Sequence, residues 1–323
     1  MTGPQSPAIV RAGMRLIKGG IFTMGSEAWY PEESPTIRVK IDPFWIDETP
    51  VTNRQFAEFV SATGHVTVAE KLPNPADYPG MLPEMIFAGS LVFTKPSGPV
   101  EPVDFTQWWT FLAGANWRHP QGPGRDIDDL DLWDHPVVHV AWSDAKAYAL
   151  WIGKELPTEA QHEFAARGGQ DGQDFAWGQE LAPDGRMMAN YWQGTFPFAN
   201  TCQDGWEGTS PVGSFPPNPL GLFDMIGNVW EWTQDWWEDR ASGRSRKPSG
   251  PSCCTPKAPR GGTFKTSLDP AFPEGKIGRK VVKGGSHLCA PNYCERYRPA
   301  ARQPEAVDSS TTHIGFRCVR NRV

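Results

Sequence analysis

The sequence predicts one globular domain in which short strands and short helices alternate with long ordered loops. Three observations carry this expectation. The 323 residues suffice for a sizeable hydrophobic core, and neither a repeat nor a linker-like composition break divides them, so residues 1–323 read as a single domain. Glycine and proline, 33 and 32 residues, supply about a fifth of the chain where average usage gives ~12%, and both residues shorten regular elements. Fifteen tryptophans each carry a large apolar face with one N–H donor, so many of them must line a core or a pocket.

Taken in order, residues 19–25 and 37–41 alternate with period two and read as two short strands about a turn. Thr52 caps a helix with Phe56, Phe59 and Val60 on one face, ending near Gly64. A second helix starts at Ser143, buries Ala145, Ala149 and Ile152, and stops at Gly153. A third starts at the N-cap Thr158, carries Glu159 and Gln161 in its first turn, and ends at Arg167-Gly168-Gly169. Residues 65–135 and 170–225 are loop-like in composition and show no sustained period, so they are expected as ordered loop over the core. Residues 238–280 are the most polar stretch and are expected as a mobile insertion.

The net charge of −6 lacks the basic footprint of nucleic-acid binding, so nucleic acid is excluded as a partner. No run of eighteen apolar residues reaches membrane-spanning length, and residues 1–25 show no signal-peptide stretch. The expectation is a soluble, cytoplasmic protein with no membrane partner. Six cysteines are too few for a disulfide scaffold at this length and are expected mostly as free thiols.

Cys289 and Cys294 stand five apart about a Pro291-Asn292 turn. Two thiolates would suit a soft, low-coordinate ion such as Cu(I), whereas zinc wants four ligands; a disulfide and two unrelated buried thiols stay open on spacing alone. Arg296, Arg298 and Arg302 nearby favour the thiolate. Asn190, Asp204, Asp224 and Glu231 are hard oxygen ligands of the kind calcium selects, though each alone is an ordinary turn or cap residue. His135 precedes Pro136, His139 lies within an apparent strand at 137–140, and both read as structural. Cys253-Cys254 has no assigned role.

Several segments resemble the formylglycine-generating enzymes: Val282-Lys283-Gly284-Gly285-Ser286 through Cys289, Cys294-Glu295-Arg296-Tyr297-Arg298-Pro299-Ala300-Ala301-Arg302, Asp308-Ser309-Ser310, Gly315-Phe316-Arg317-Cys318, Gly114 to Pro120, Leu156 to Ala160 and Gly227 to Trp232. The resemblance runs from about residue 13 to 320. It implies an α+β fold, a single compact mixed domain poor in regular structure and related to C-type lectin domains. It implies oxidation by O2 of the cysteine in a Cys-x-Pro-x-Arg motif of an unfolded sulfatase to Cα-formylglycine, with an external thiol reductant. Cys289 and Cys294 would then hold Cu(I), with the substrate cysteine as a third sulfur. Ser286, Arg302 and Ser310 match the family's polar pocket residues and Trp230 its aromatic wall.

For Ca2+, the resemblance implies one site at Asn190, Asp204 and the carbonyls of Tyr191 and Trp206. A second would lie at Asp224, Glu231 and the carbonyls of Gly227 and Val229. Pro299 and Ala166 stand where secreted relatives carry cysteines, leaving Cys318 unpaired, and His313 stands where Asn is expected. The competing readings are a same-fold oxygenase of small thiols, which would want a histidine cluster, and a non-enzymatic calcium-binding module, which would leave Cys289 and Cys294 without a task.

Overall fold

The computed structural model describes residues 12–101, 104–240, 259, 261–272 and 274–321. Strands β1 (Met14–Ile17), β4 (Phe44–Asp47) and β11 (Val319–Asn321) form one sheet in the order β1-β4-β11, which brings the two ends of the described chain together. Strands β2 (Gly20–Met24) and β3 (Ile37–Ile41) form the expected antiparallel pair, with Phe22 opposite Val39. The central sheet runs β10 (Ile314–Gly315), β7 (Trp230–Trp236), β8 (Arg279–Lys283), β9 (Arg302–Ala306). β9 is its edge, the position at which Pro304 can lack an N–H without breaking the ladder.

All three helices expected from sequence form. In α1 (Asn53–Thr63), the Thr52 hydroxyl accepts from Gln55 N and the Gln55 side chain answers Thr52 N, while Gly64 closes the helix at φ 68°. α2 (Trp142–Trp151) begins one residue before Ser143, with the Asp144 carboxylate accepting the N–H of Ala141. α3 (Glu159–Ala166) carries the Thr158–Gln161 capping box.

Other expectations require correction. The stretch 65–135 contains the hairpin β5 (Gly89–Phe93) and β6 (Trp109–Ala113), paired from Gly89–Ala113 to Phe93–Trp109. Residues 137–140 are not a strand. Val137 N donates to Val51 O, His139 N donates to Thr311 O, and His139 turns to φ 58°. The histidines of that segment are structural as expected: His139 bonds Ser90 Oγ at 2.6 Å and Pro120 O at 2.9 Å, and His135 bonds Thr209.

Of the expected mobile insertion at 238–280, residues 241–258, Cys253-Cys254 among them, lie outside the described residues. Described residues of the remainder make defined contacts. Gly261 N donates to Asp235 Oδ1, Thr263 caps α4 (Phe264–Ser267), and Phe264 meets Trp236 edge-on at 5.4 Å.

The tryptophan content is spent inside: Trp108, Trp117, Trp192, Trp230 and Trp232 are fully buried. The largest apolar cluster joins α1 and α2 through Phe56, Phe59 and Tyr148 to Trp230, Trp232, Cys289 and Cys294. The thiols are thus built into the core's own edge. Among the described residues no helix is long and apolar enough to cross a membrane.

Candidate active site

The loop after β8 delivers the thiol pair. Gly284 and Gly285 turn the chain at φ 92° and 73°, where a side chain would be strained. A Cβ on Gly285 would stand 2.5 Å from the Arg296 carbonyl oxygen, so the turn also allows the two limbs of the loop to touch. Cys289 N then donates to Ser286 O, and Cys294 N to Ala290 O, both at 2.9 Å. The two sulfurs come to rest 3.4 Å apart. That is far beyond a disulfide bond of ~2.05 Å, and both are free thiols, as are Cys202 and Cys318.

A cavity of about 420 Å³ opens on the pair, walled by Trp230, Ser286, Gln303, Glu305, Tyr293 and His313 among others. Strand parity decides what faces it. Trp232 pairs with Val282 and Val282 with Gln303, so Trp230, Gln303 and Glu305 share the cavity face of the sheet. Glu231, Lys283 and Arg302 occupy the opposite face, against α3. There Arg302 Nε meets Glu159 at 2.7 Å, Lys283 Nζ meets Glu163 at 3.0 Å, and Glu231 meets His162 at 3.2 Å.

Electrostatics set the two sulfurs apart. The hydrogen bond from Cys289 lowers the Cys294 thiol to about 6 against the cost of burial, and the Arg296 guanidinium, 3.6 Å from Cys294 Sγ, adds to the fall. Burial pushes the Cys289 thiol well up, and it keeps the proton it donates. Arg296 is anchored by Glu32 at 2.6 Å and by the Tyr30 ring. Arg298 and Arg302 turn instead to Glu33 and Glu159, so of the three arginines only Arg296 tunes a thiol.

Replacing Arg296 by Met is expected to roughly halve alkylation of Cys294 at pH 7 and to slow it about tenfold at pH 5, the effect of a rise of ~1.4 kcal/mol on a thiol held at about 6. The cause is a shift of the thiolate's appearance to higher pH. A rate–pH profile with iodoacetamide, followed by peptide mapping, reads it directly; an unmoved profile would remove Arg296 from this role.

Two sulfurs, one already a thiolate beside a cation, make a donor set that suits a soft ion of low coordination. Among the described residues no group of three or more His, Cys, Asp or Glu assembles that could hold a metal, so the four ligands of structural zinc are not available. Nor, among the described residues, does a group of three or more such side chains form the histidine cluster that a small-thiol oxygenase would want. His313 is neutral, since burial pulls it down to about 3, and its Nδ1 lies 2.7 Å from Thr311 Oγ1.

Over residues 4–322 the chain matches the sulfatase-modifying factor enzyme 1-like domain. It is 52% identical to the formylglycine-generating enzyme of Mycobacterium tuberculosis over 95% of this chain and 97% of that one. The chain belongs to the formylglycine-generating enzyme family. The enzyme of the same name from Thermomonospora curvata is 45% identical over 97% of this chain and 95% of its own. In fold, the structure of PvdO from Pseudomonas aeruginosa matches with a TM-score of 0.63 at 24% identity, over 96% of this chain and 94% of that one. The α+β fold implied by the sequence resemblance therefore stands.

Of the residues that the family resemblance singles out, Cys289, Cys294, Ser286 and Trp230 meet in the one cavity. Two stand outside its lining. Arg302 lies on the far face of the sheet, buried against Glu159. Ser310 lines a neighbouring groove of about 950 Å³, and its carbonyl accepts from Leu91 N and Ser90 Oγ. Leu91 walls both spaces and Thr311, the next residue, lines the cavity, so Ser310 stands at the border between the two.

The oxygen ligands expected for calcium also divide. Asp204 accepts from Tyr191 N, Trp206 N and the Gln193 amide, which also donates to the Tyr191 carbonyl. A donor thus bridges two oxygens expected to share a cation, and Asn190 Nδ2 bonds the Gly208 carbonyl beside them. At the second set, Glu231 is already compensated by Arg317, whose Nη2 also holds the Asp224 carbonyl. Where the resemblance sets Glu231 beside Asp224, Gly227 and Val229, its charge is thus already balanced by Arg317.

Gln303 and Glu305 are cavity residues that sequence reading missed. The signal available was alternation along residues 302–306, which Pro304 obscures.

Proposed function

We propose that this protein converts the cysteine of a Cys-x-Pro-x-Arg segment in an unfolded sulfatase to Cα-formylglycine, using O2, with Cu(I) held by Cys289 and Cys294. The observation that carries the reading is a pair of free sulfurs, hydrogen-bonded at 3.4 Å, at the wall of a cavity in a chain of this family. When bound, a cuprous ion would supply an electron-rich centre for the reduction of O2. The residues of the chain do the rest. Ser286 N donates to Cys289 Sγ at 3.4 Å and fixes that sulfur, Trp230 excludes water from one wall, and Tyr293 and Phe196, stacked at 4.4 Å, form an apolar rim for an extended peptide.

The neighbouring groove, with Leu72, Phe111 and Phe272 exposed along it, favours an unfolded segment over a small thiol. A backbone-embedded cysteine can enter only on an extended chain. Electron balance calls for a further reductant: the thiol-to-aldehyde step releases two electrons and hydrogen sulfide, O2 takes up four, and an external thiol going to disulfide supplies the other two. Calcium at Asp204, Asn190 and the Tyr191 and Trp206 carbonyls belongs to the same proposal, supported by the convergence of Asp204 and the Tyr191 carbonyl on one point, where the Gln193 amide is the donor that a cation would displace. A cytoplasmic location remains part of the reading, resting on the sequence.

The test is mass spectrometry of a Leu-Cys-Thr-Pro-Ser-Arg peptide after incubation with the protein, Cu(I), a thiol and air. Loss of the sulfur with gain of an aldehyde is the expected result. An unaltered peptide with copper demonstrably bound would overturn the reading.

A further inference from the structure

We propose that Glu305 is the proton acceptor that converts the substrate cysteine from thiol to thiolate as it enters the cavity. The inference rests on the function proposed above and adds a catalytic residue to it. A third sulfur can join the resident pair as a metal ligand only after losing its proton, and a carboxylate on the cavity wall is placed to receive it.

Geometry narrows the choice. Glu305 stands on β9 two residues beyond Gln303, on the same face as Trp230, and opens into the cavity that holds Cys289 and Cys294. Among the described residues that line this cavity it is the one carboxylate. The other titratable walls are unsuited. Arg296 is a cation bound to Glu32, burial pulls His313 down to about 3 and leaves it a feeble base, burial pushes Tyr293 up, and the two resident thiols are themselves the ligands.

The surroundings of Glu305 tune it for this task. Burial raises its carboxyl to about 7, although the Ser309 hydroxyl and Ala306 N–H favour the ionised form; Asp308 pushes it further up and Arg279 down. Lys280, its register partner on β8, carries its ammonium to the Gln234 carbonyl and over the Trp236 ring. Arg279 is bound to Asp269, and Asp308 accepts from the Tyr78 hydroxyl. A base poised near neutrality is matched to a thiol whose ordinary pKa is ~8.5. In the step itself the substrate S–H bond breaks, an O–H bond forms on Glu305, and the sulfur keeps the electron pair. Glu305 ends neutral, the form that its burial favours.

The experiment counts protons. Copper-loaded protein under argon is titrated calorimetrically with the Leu-Cys-Thr-Pro-Ser-Arg peptide in buffers of different ionisation enthalpy, at pH 8 and pH 6. Glu305 starts at about 7 and the substrate thiolate beside it raises the carboxyl further, so at pH 8 the parent protein is expected to release measurably fewer protons to buffer than Glu305→Gln, which releases close to one. At pH 6 Glu305 is already protonated, so both proteins release close to one. In aerobic turnover, kcat/KM of the parent falls as pH drops through about 7; Glu305→Gln loses that limb and is slower by about 100-fold, the lower range for a general base.

Glu305→Asp should keep the limb at a displaced pH, and melting curves confirm that both variants fold. Equal proton release by parent and Glu305→Gln at pH 8, with the parent converting peptide, would overturn the role of Glu305 alone. A parent protein that does not convert the peptide would overturn the proposed function and this inference together.

Discussion

Cys289→Ser and Cys294→Ser are each expected to abolish both copper binding and aldehyde formation while leaving the fold intact. Disturbing a partner that merely orients a metal ligand typically costs ~10–100-fold in affinity or activity, so loss of one of two ligands should exceed about 100-fold. Serine replaces a soft sulfur by a hard, protonated oxygen of similar size, which removes affinity for Cu(I) with little change of volume. The two sites are 2% and 9% exposed, so a melting curve guards against a packing effect. Competition for Cu(I) against a coloured chelator reads the binding, and mass spectrometry of the peptide reads the activity.

The two thiols also make a distinct prediction about protons. Above about pH 6 the metal-free protein carries Cys294 as thiolate and Cys289 as thiol. Copper binding there should release one proton, and a second should be released as the pH falls below that value. A variant that keeps both copper affinity and conversion would refute the ligand assignment.

What could be read from the sequence follows from range. The helices at 53–63 and 159–166 were legible because caps and glycine stops act within one turn. The thiol pair was legible for the same reason, five residues about a turn. The hairpin of β5 and β6 was not, because Gly89 finds Ala113 across a long loop of proline and glycine. At 137–140 the apolar alternation is real, yet its backbone bonds run to Val51 and Thr311 and no ladder forms.

Arg302 shows how strand parity, which motif adjacency does not reveal, sets the face on which a side chain stands. In one dimension it neighbours the cysteine loop, but pairing with Lys283 fixes its parity and sends it to α3. The same parity brings Glu305 inward, and Pro304 obscures the alternation of residues 302–306 that would announce it.

That far face of the sheet yields the largest expected loss of stability. Glu231 is fully buried and takes a two-pronged contact from Arg317, Nε at 2.7 Å and Nη2 at 2.8 Å, with His162 Nε2 at 3.2 Å. Arg317 Nη2 in turn holds the carbonyls of Phe223 and Asp224, so a single guanidinium ties β7 to the 223–224 loop. Glu231→Gln removes the charge and leaves that guanidinium buried without its counterion, which costs ~3–5 kcal/mol, or roughly 10 °C in melting temperature for a domain of this size.

By contrast, neutralising the exposed Arg54–Asp134 pair should cost less than ~1 kcal/mol. The double variant Glu231→Gln with Arg317→Met should recover part of the loss, because it removes both charges from the interior. The sign of the pH dependence follows from the lowered carboxyls. Burial alone would raise Glu231, but Arg317 and His162 hold it below the ordinary 4.5; Glu159, desolvated too, is held down to about 2 by Arg240, Arg302 and Lys283. Their contribution is complete above about pH 4.5 and is lost as pH falls toward 2. Glu231→Gln should therefore be less stable than the parent at pH 7 and approach it in acid. Parallel curves from pH 7 to pH 3 would show that the Glu231–Arg317 pair is not what the acid sensitivity reports.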